Sequence, residues 1–242
     1  MGSRESHTIQ SVGGVSLDAR LYPAVADSDS EHRNDGLVAV LVHPYSVLGG
    51  FQGLMKGMAS GLANSGVTAL TFNMRGVGNS TGRASLTGFA EVEDVVSGCK
   101  WTSPPAAFSS SDLQLVHLFL SYADLIIDAT HVCAPIAGSA VDKVEEVIGY
   151  VSLGYPFGLT ASILFGRHHK AILQSPKPKL FVMGTKDGFT SVKQLESKLK
   201  NAAGNNQTHL IEGVSHFQME GPAYDEQMVN LILQFISSLS RK

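Results

Sequence analysis

The run LVAVLV at Leu37–Val42 carries no polar side chain at any position. Successive residues of a strand point to opposite faces, so such a run must be buried on both. That is the situation of a central strand in a parallel sheet covered by helices, not of a half-solvated antiparallel sheet. His43-Pro44 stops the run. Similar short strands are expected at 67–72, Val147–Leu153, Lys179–Gly184 and 208–212, and segments 52–65, 86–101, 191–203 and 223–239 have the apolar spacing of helices. Their alternation predicts an α/β chain with a mostly parallel, doubly wound sheet. Ahead of it, residues 8–12 and Val15–Tyr22 flank Gly13-Gly14, which accept the positive φ of a tight turn and predict an N-terminal antiparallel hairpin. Pro23 ends the pairing, and 24–36, rich in Asp, Ser and Asn, reads as a surface loop.

Composition narrows the possibilities. Hydrophobic residues make up 43% and charged residues 16%, which excludes a disordered chain and a coiled coil. A length of 242 residues suits one α/β domain spanning the whole chain. With 18 Lys+Arg against 21 Asp+Glu and no basic run, nucleic acid is not an expected partner. The two cysteines, Cys99 and Cys133, form no disulfide framework, and the polar start at 1–10 has no secretory apolar region. A reducing, cytoplasmic setting is expected. Residues 113–127, LQLVHLFLSYADLII, fall short of the roughly 20 needed to span a bilayer and include His117, Ser121 and Asp124, so no membrane span is expected. The same segment fits either a central strand or a helix, because a short apolar run does not settle the period. Met1, Gly2 and Ser6 match the acceptor pattern for N-myristoylation, a pattern loose enough to arise by chance. Nothing in the sequence marks an oligomeric state.

In open parallel sheets the loops beyond the carboxyl ends of the strands build the site. The strand Lys179–Gly184 runs into Thr185-Lys186-Asp187-Gly188, and the strand at 208–212 runs into Gly213-Val214-Ser215-His216-Phe217. Asp187 and His216 therefore emerge on one sheet edge. A carboxylate so placed fixes the imidazole tautomer and stabilises its protonated form, and the other ring nitrogen can then take a proton from a nucleophile. Either residue alone reads as an ordinary turn Asp or strand-end His. The acid-then-histidine order is that of hydrolase triads.

These residues, together with His43-Pro44 and Gly49-Gly50 after the first central strand and Asn73-Met74-Arg75-Gly76-Val77-Gly78-Asn79-Ser80-Thr81-Gly82 after the next, resemble the α/β-hydrolase superfamily. More narrowly the chain is similar to the small KANL/Tex-type branch near the dienelactone hydrolases. The resemblance implies the α/β-hydrolase fold and ester, thioester or related acyl hydrolysis of a small-molecule substrate, with no cofactor and no metal. It implies Asp187 and His216 as catalytic residues. An oxyanion-hole N–H would come from Tyr45 or Ser46, while the Arg75-Gly76-Val77-Gly78 loop would be a structural turn.

The resemblance fails at about 106–133. The family nucleophile sits in G-x-S-x-G between a strand and a helix, and no such motif lies between Trp101 and Val147. Aligned backward from Ala134-Pro135-Ile136-Ala137-Gly138-Ser139, the start of the post-elbow helix, Ala129-Thr130-His131-Val132-Cys133 occupies the elbow and His131 the nucleophile's place. Neither flank is glycine. Gly78-Asn79-Ser80-Thr81-Gly82 matches G-x-S-x-G as text but lacks the strand-turn-helix setting, Ser121 is followed by no elbow, and Gly154-Tyr155-Pro156-Phe157-Gly158 has proline at the centre and reads as a loop lining the site. Cys133 reads as packing. His131, His168, His169 and His209 show no metal-ligand spacing and read as solvated or strand histidines, and Gly76-Val77-Gly78 lacks a dinucleotide fingerprint. The expectation is a hydrolase-like protein of impaired turnover, with a noncatalytic binding or scaffold protein as the alternative. The abrupt failure and return of the resemblance also suits altered splicing or gene prediction across the block.

Overall fold

The computed structural model describes residues 4–25, 37–44, 50–102, 116–122, 134–220 and 222–239. Strands β1 (Glu5–Ser11), β2 (Val15–Tyr22), β3 (Leu37–Val42), β4 (Thr68–Phe72), β5 (Val116–Tyr122), β6 (Val147–Leu153), β7 (Lys179–Gly184) and β8 (Asn206–Ile211) form one sheet in the order β1-β2-β4-β3-β5-β6-β7-β8. The β1/β2 and β2/β4 pairs are antiparallel and every later pair is parallel. The α/β class, the hairpin and the parallel sheet agree with the sequence reading.

Both faces of the sheet are covered, and the two-residue period decides which side chain goes where. Val38, Val40 and Val42 of β3 join the core under α2 (Phe89–Thr102), α3 (Ala134–Ala140) and α5 (Val192–Leu199). Leu37, Ala39 and Leu41 join the core under α1 (Lys56–Asn64) and α6 (Asp225–Leu239). All six β3 residues are buried, which is what a strand without polar residues requires.

Four differences from the sequence reading have local causes. The first strand ends at Ser11, and Val12, 62% exposed, joins Gly13 (φ 78°) and Gly14 (φ 75°) in a three-residue turn. The segment at 113–127 holds a strand, β5, in register with β3 on one side and β6 on the other. Both neighbours are buried and need a ladder partner there, so the sheet resolves an ambiguity the side-chain pattern leaves open. Helix α4 (Leu159–Gln174) is not foreshadowed by the sequence pattern: it contains Gly166 and departs from helical angles at Phe165 (φ −122°), which blur its period. Finally, α5 is shorter than 191–203 and stops at Leu199, whose carbonyl accepts the Ala202 N–H (3.1 Å) while the Ala203 N–H leaves the helix to donate to Leu173 O of α4 (2.8 Å).

Candidate active site

Asp187 follows β7 in a turn closed by its own N–H to Gly184 O (3.0 Å). Its Oδ1 accepts the N–H groups of Phe189 (2.8 Å) and Thr190 (2.9 Å), which aims Oδ2 at the loop after β8. There Oδ2 accepts the Nδ1–H of His216, in a pair whose side chains are buried. A donor at Nδ1 leaves Nε2 as the nitrogen that exchanges protons with a reactant, and the carboxylate stabilises the imidazolium that forms. The structure thus brings together the two residues singled out from the sequence.

Three loops meet at backbone contact around this pair, and glycines make the approach possible. Gly154, at φ 75°, lies beneath the imidazole, where a Cβ would come within 2.7 Å of His216 Cε1. A Cβ on Gly158 would stand 2.3 Å from Phe189 O, and one on Gly184 2.1 Å from Val214 O. Two threonines flanking Asp187 tie the loops. Thr190 Oγ1 donates to Tyr155 O (2.8 Å) and accepts from Phe157 N–H (2.7 Å), while Thr185 Oγ1 accepts from Gly213 N–H (2.9 Å). The Phe189 ring stands edge-on to His216, with centroids 4.7 Å apart. The segment from Gly154 to Gly158 therefore flanks the histidine. Sequence reasoning missed Thr190, whose signal is no more than its place three residues after the acid.

His43 has a structural task. Its buried Nε2 accepts the Met74 N–H (2.9 Å), so Nδ1 carries the proton and donates to Pro44 O. Burial pushes its pKa down to about 4, against the opposing pull of the Pro44 bond and of Asp94. The neutral ring pins the end of β3 to the loop after β4. The oxyanion-hole candidates Tyr45 and Ser46 lie outside the described residues, as do His131 and Cys133.

The loop after β4 is occupied with its own structure. Ser80 is buried, donates to Asn73 O (2.7 Å) and accepts from Asp18 N–H (2.8 Å), so its hydroxyl is committed to two backbone groups far from an elbow geometry. Arg75 makes a forked pair with buried Asp94 (2.9 and 2.7 Å), whose carboxylate also accepts the Arg75 N–H (2.9 Å) and the Ser11 hydroxyl (2.6 Å). Ser121 lies near the carboxyl end of β5, in register with Val42 and Ser152. Residues 123–133 separate the described end of β5 at Tyr122 from α3 at Ala134. A strand-turn-helix elbow holds its nucleophile within the turn itself.

His168 and His169 correct the sequence reading: both are buried on α4 instead of solvated. His168 bonds to Thr87 O (2.7 Å) and to the Ser139 hydroxyl (2.6 Å). His169 packs against Tyr155 and Phe157, its pKa pushed down to about 4 mainly by burial. Among the described residues no three His, Cys, Asp or Glu side chains converge as a metal site, and no helix is long and apolar enough to cross a membrane.

No protein-family model and no curated protein sequence matches this chain. By structure it is similar to an α/β serine hydrolase homologue from Coxiella burnetii (21% identity, TM-score 0.71, 97% of each chain covered). It is also similar to an α/β serine hydrolase without lid from Xanthomonas campestris (16% identity, TM-score 0.70, covering 98% of this chain and 94% of that one). A third similar structure is an esterase from Pyrococcus furiosus (15% identity, TM-score 0.71, covering 98% and 91%). At such identities these similarities establish the fold, which is the α/β-hydrolase fold.

Proposed function

We propose that this α/β-hydrolase-fold chain is of the serine ester or thioester (acyl) hydrolase type, with turnover impaired by the loss of the nucleophile elbow. The observation that carries the reading is the buried Asp187–His216 pair at the carboxyl edge of the sheet. Such a pair has a defined chemical use. His216 Nε2 takes the proton of an attacking hydroxyl or water as it adds to an acyl carbonyl, Asp187 stabilises the imidazolium, and the same proton then goes to the leaving alcohol or thiol. The resemblance of the loop after β3 adds an oxyanion-hole N–H from Tyr45 or Ser46. The four motifs in order support the narrower kinship with the KANL/Tex-type branch, and the two cysteines, too few for a disulfide framework, support a cytoplasmic setting.

One observation favours a second reading, a noncatalytic binding or scaffold protein: no G-x-S-x-G lies between Trp101 and Val147. A fluorophosphonate probe and a panel of short acyl esters and thioesters, applied to the parent chain, His216→Ala and Asp187→Asn, separate the two. The expected result is weak ester turnover that falls about 100-fold or more in His216→Ala, the usual scale of general-base catalysis. Turnover indifferent to His216 would overturn the assigned base, and none above the uncatalysed rate would leave the binding reading in possession.

A further inference from the structure

We infer that Thr190 is the positioning residue of the Asp187–His216 pair, its hydroxyl fastening the loop after β6 to the acid-bearing loop so that the imidazole is held in place. Its importance for catalysis rests on the acyl-transfer reading, but its geometry and its test do not.

Thr190 touches the pair from two directions. Its N–H donates to Asp187 Oδ1 (2.9 Å), and so helps to set the angle at which Oδ2 meets His216. Its Oγ1–H donates to Tyr155 O (2.8 Å) while Oγ1 accepts Phe157 N–H (2.7 Å), which fixes the loop that begins at Gly154. Gly154 itself lies against the His216 ring, and Phe189, the residue before Thr190, lies against its edge. One residue therefore links, through its backbone, the carboxylate and the ring beside the imidazole, and through its hydroxyl the loop that lies beneath it.

Thr190 is 1% exposed, so water has no access to replace its hydroxyl. Removing that hydroxyl leaves the Tyr155 carbonyl and the Phe157 N–H only their long bond to each other across one residue (3.1 Å), and nothing then fastens this loop to the acid-bearing loop through Thr190. Movement of Gly154 opens room beside the imidazole. Thr185 provides the contrast, because its bond to Gly213 N–H lies in an exposed setting where water can substitute.

The test reads the His216 Nδ1 proton by NMR in full-length chain labelled with ¹⁵N at histidine, comparing Thr190→Val, Thr190→Ser and Thr185→Val. In Thr190→Val this proton is expected to exchange with solvent about tenfold faster or more, with Thr190→Ser and Thr185→Val staying within about twofold of the parent. An unchanged rate in Thr190→Val, or a Thr190→Ser rate as fast as that of Thr190→Val, would overturn the assignment. Should Thr190→Val fail to fold, the parent decides: low urea must accelerate the Phe157 amide and the His216 Nδ1 proton together, and independent exchange refutes the link. Ester turnover that survives His216→Ala would remove the acyl-transfer reading while leaving these exchange rates unaffected.

Discussion

His43 and His216 are both buried at the same sheet edge, yet their surroundings give them opposite work. His216 gives its Nδ1–H to the Asp187 carboxylate, whereas His43 uses Nδ1 and Nε2 to join two backbone groups and stays neutral. The folded pKa of His43, about 4, lies below its ordinary 6.5, so on acidification the unfolded chain takes the proton first. The stability tied to a neutral His43 is present above pH 6.5 and is lost as pH falls toward 4, by about 3 kcal/mol if the whole shift is realised. Urea midpoints measured from pH 7 to pH 4 should fall accordingly, and His43→Gln, less stable at pH 7, should show a flatter profile. His169 adds to the loss in the same window, because its folded pKa is also depressed to about 4. Of the site, the sequence made Asp187 and His216 legible because each closes a strand in a fixed order. Thr190 was illegible, since its role depends on Tyr155 and Phe157, more than thirty residues away in the chain.

At the scale of elements, the strongest local signals produced the expected elements and the mixed ones needed their neighbours. Helix α5 starts where the sequence says it should because Ser191 and Gln194 form a reciprocal cap: the Ser191 hydroxyl accepts Gln194 N–H (3.2 Å) and the Gln194 side chain accepts Ser191 N–H (2.8 Å). Ser191→Ala should cost about 1 kcal/mol in a urea unfolding curve, the usual scale of a lost cap. Because this cap comes directly after Thr190, the variant also tests whether the start of α5 and the acid loop move independently. Helix α4 had no comparable signal. The chain just past its end is held by Lys179, whose buried ammonium donates to Ser175 O (2.6 Å), Lys177 O (2.9 Å) and Ala203 O (2.8 Å), contacts that no helical period foretells.

For the whole molecule, the decisive element is β5, which fills the middle of the sheet between β3 and β6 although it lies inside the block where the family resemblance breaks. The block thus keeps the central strand, and its sequence departs from the family pattern at the elbow position beyond that strand. Exchanging residues 106–133 for a segment that carries both a strand and a G-x-S-x-G elbow should restore fluorophosphonate labelling at the new serine, and His216→Ala should abolish it. Continued silence in a chain that still melts cooperatively would count against altered splicing as the origin of the block.

The sequence by itself determined the fold class, the hairpin, most of the parallel strands and the acid and histidine of the candidate pair, because these rest on periodicity, turn chemistry and order along the chain. It also determined that no serine elbow stands between Trp101 and Val147. Only the tertiary structure decided that 116–122 is a strand, that Ser80 is spent on backbone bonds, that His168 and His169 are buried, and that Thr190 joins two loops. The physical reason is that what buries a ring, bonds a buried hydroxyl or pairs a strand edge is set by packing in space, which local sequence pattern does not record.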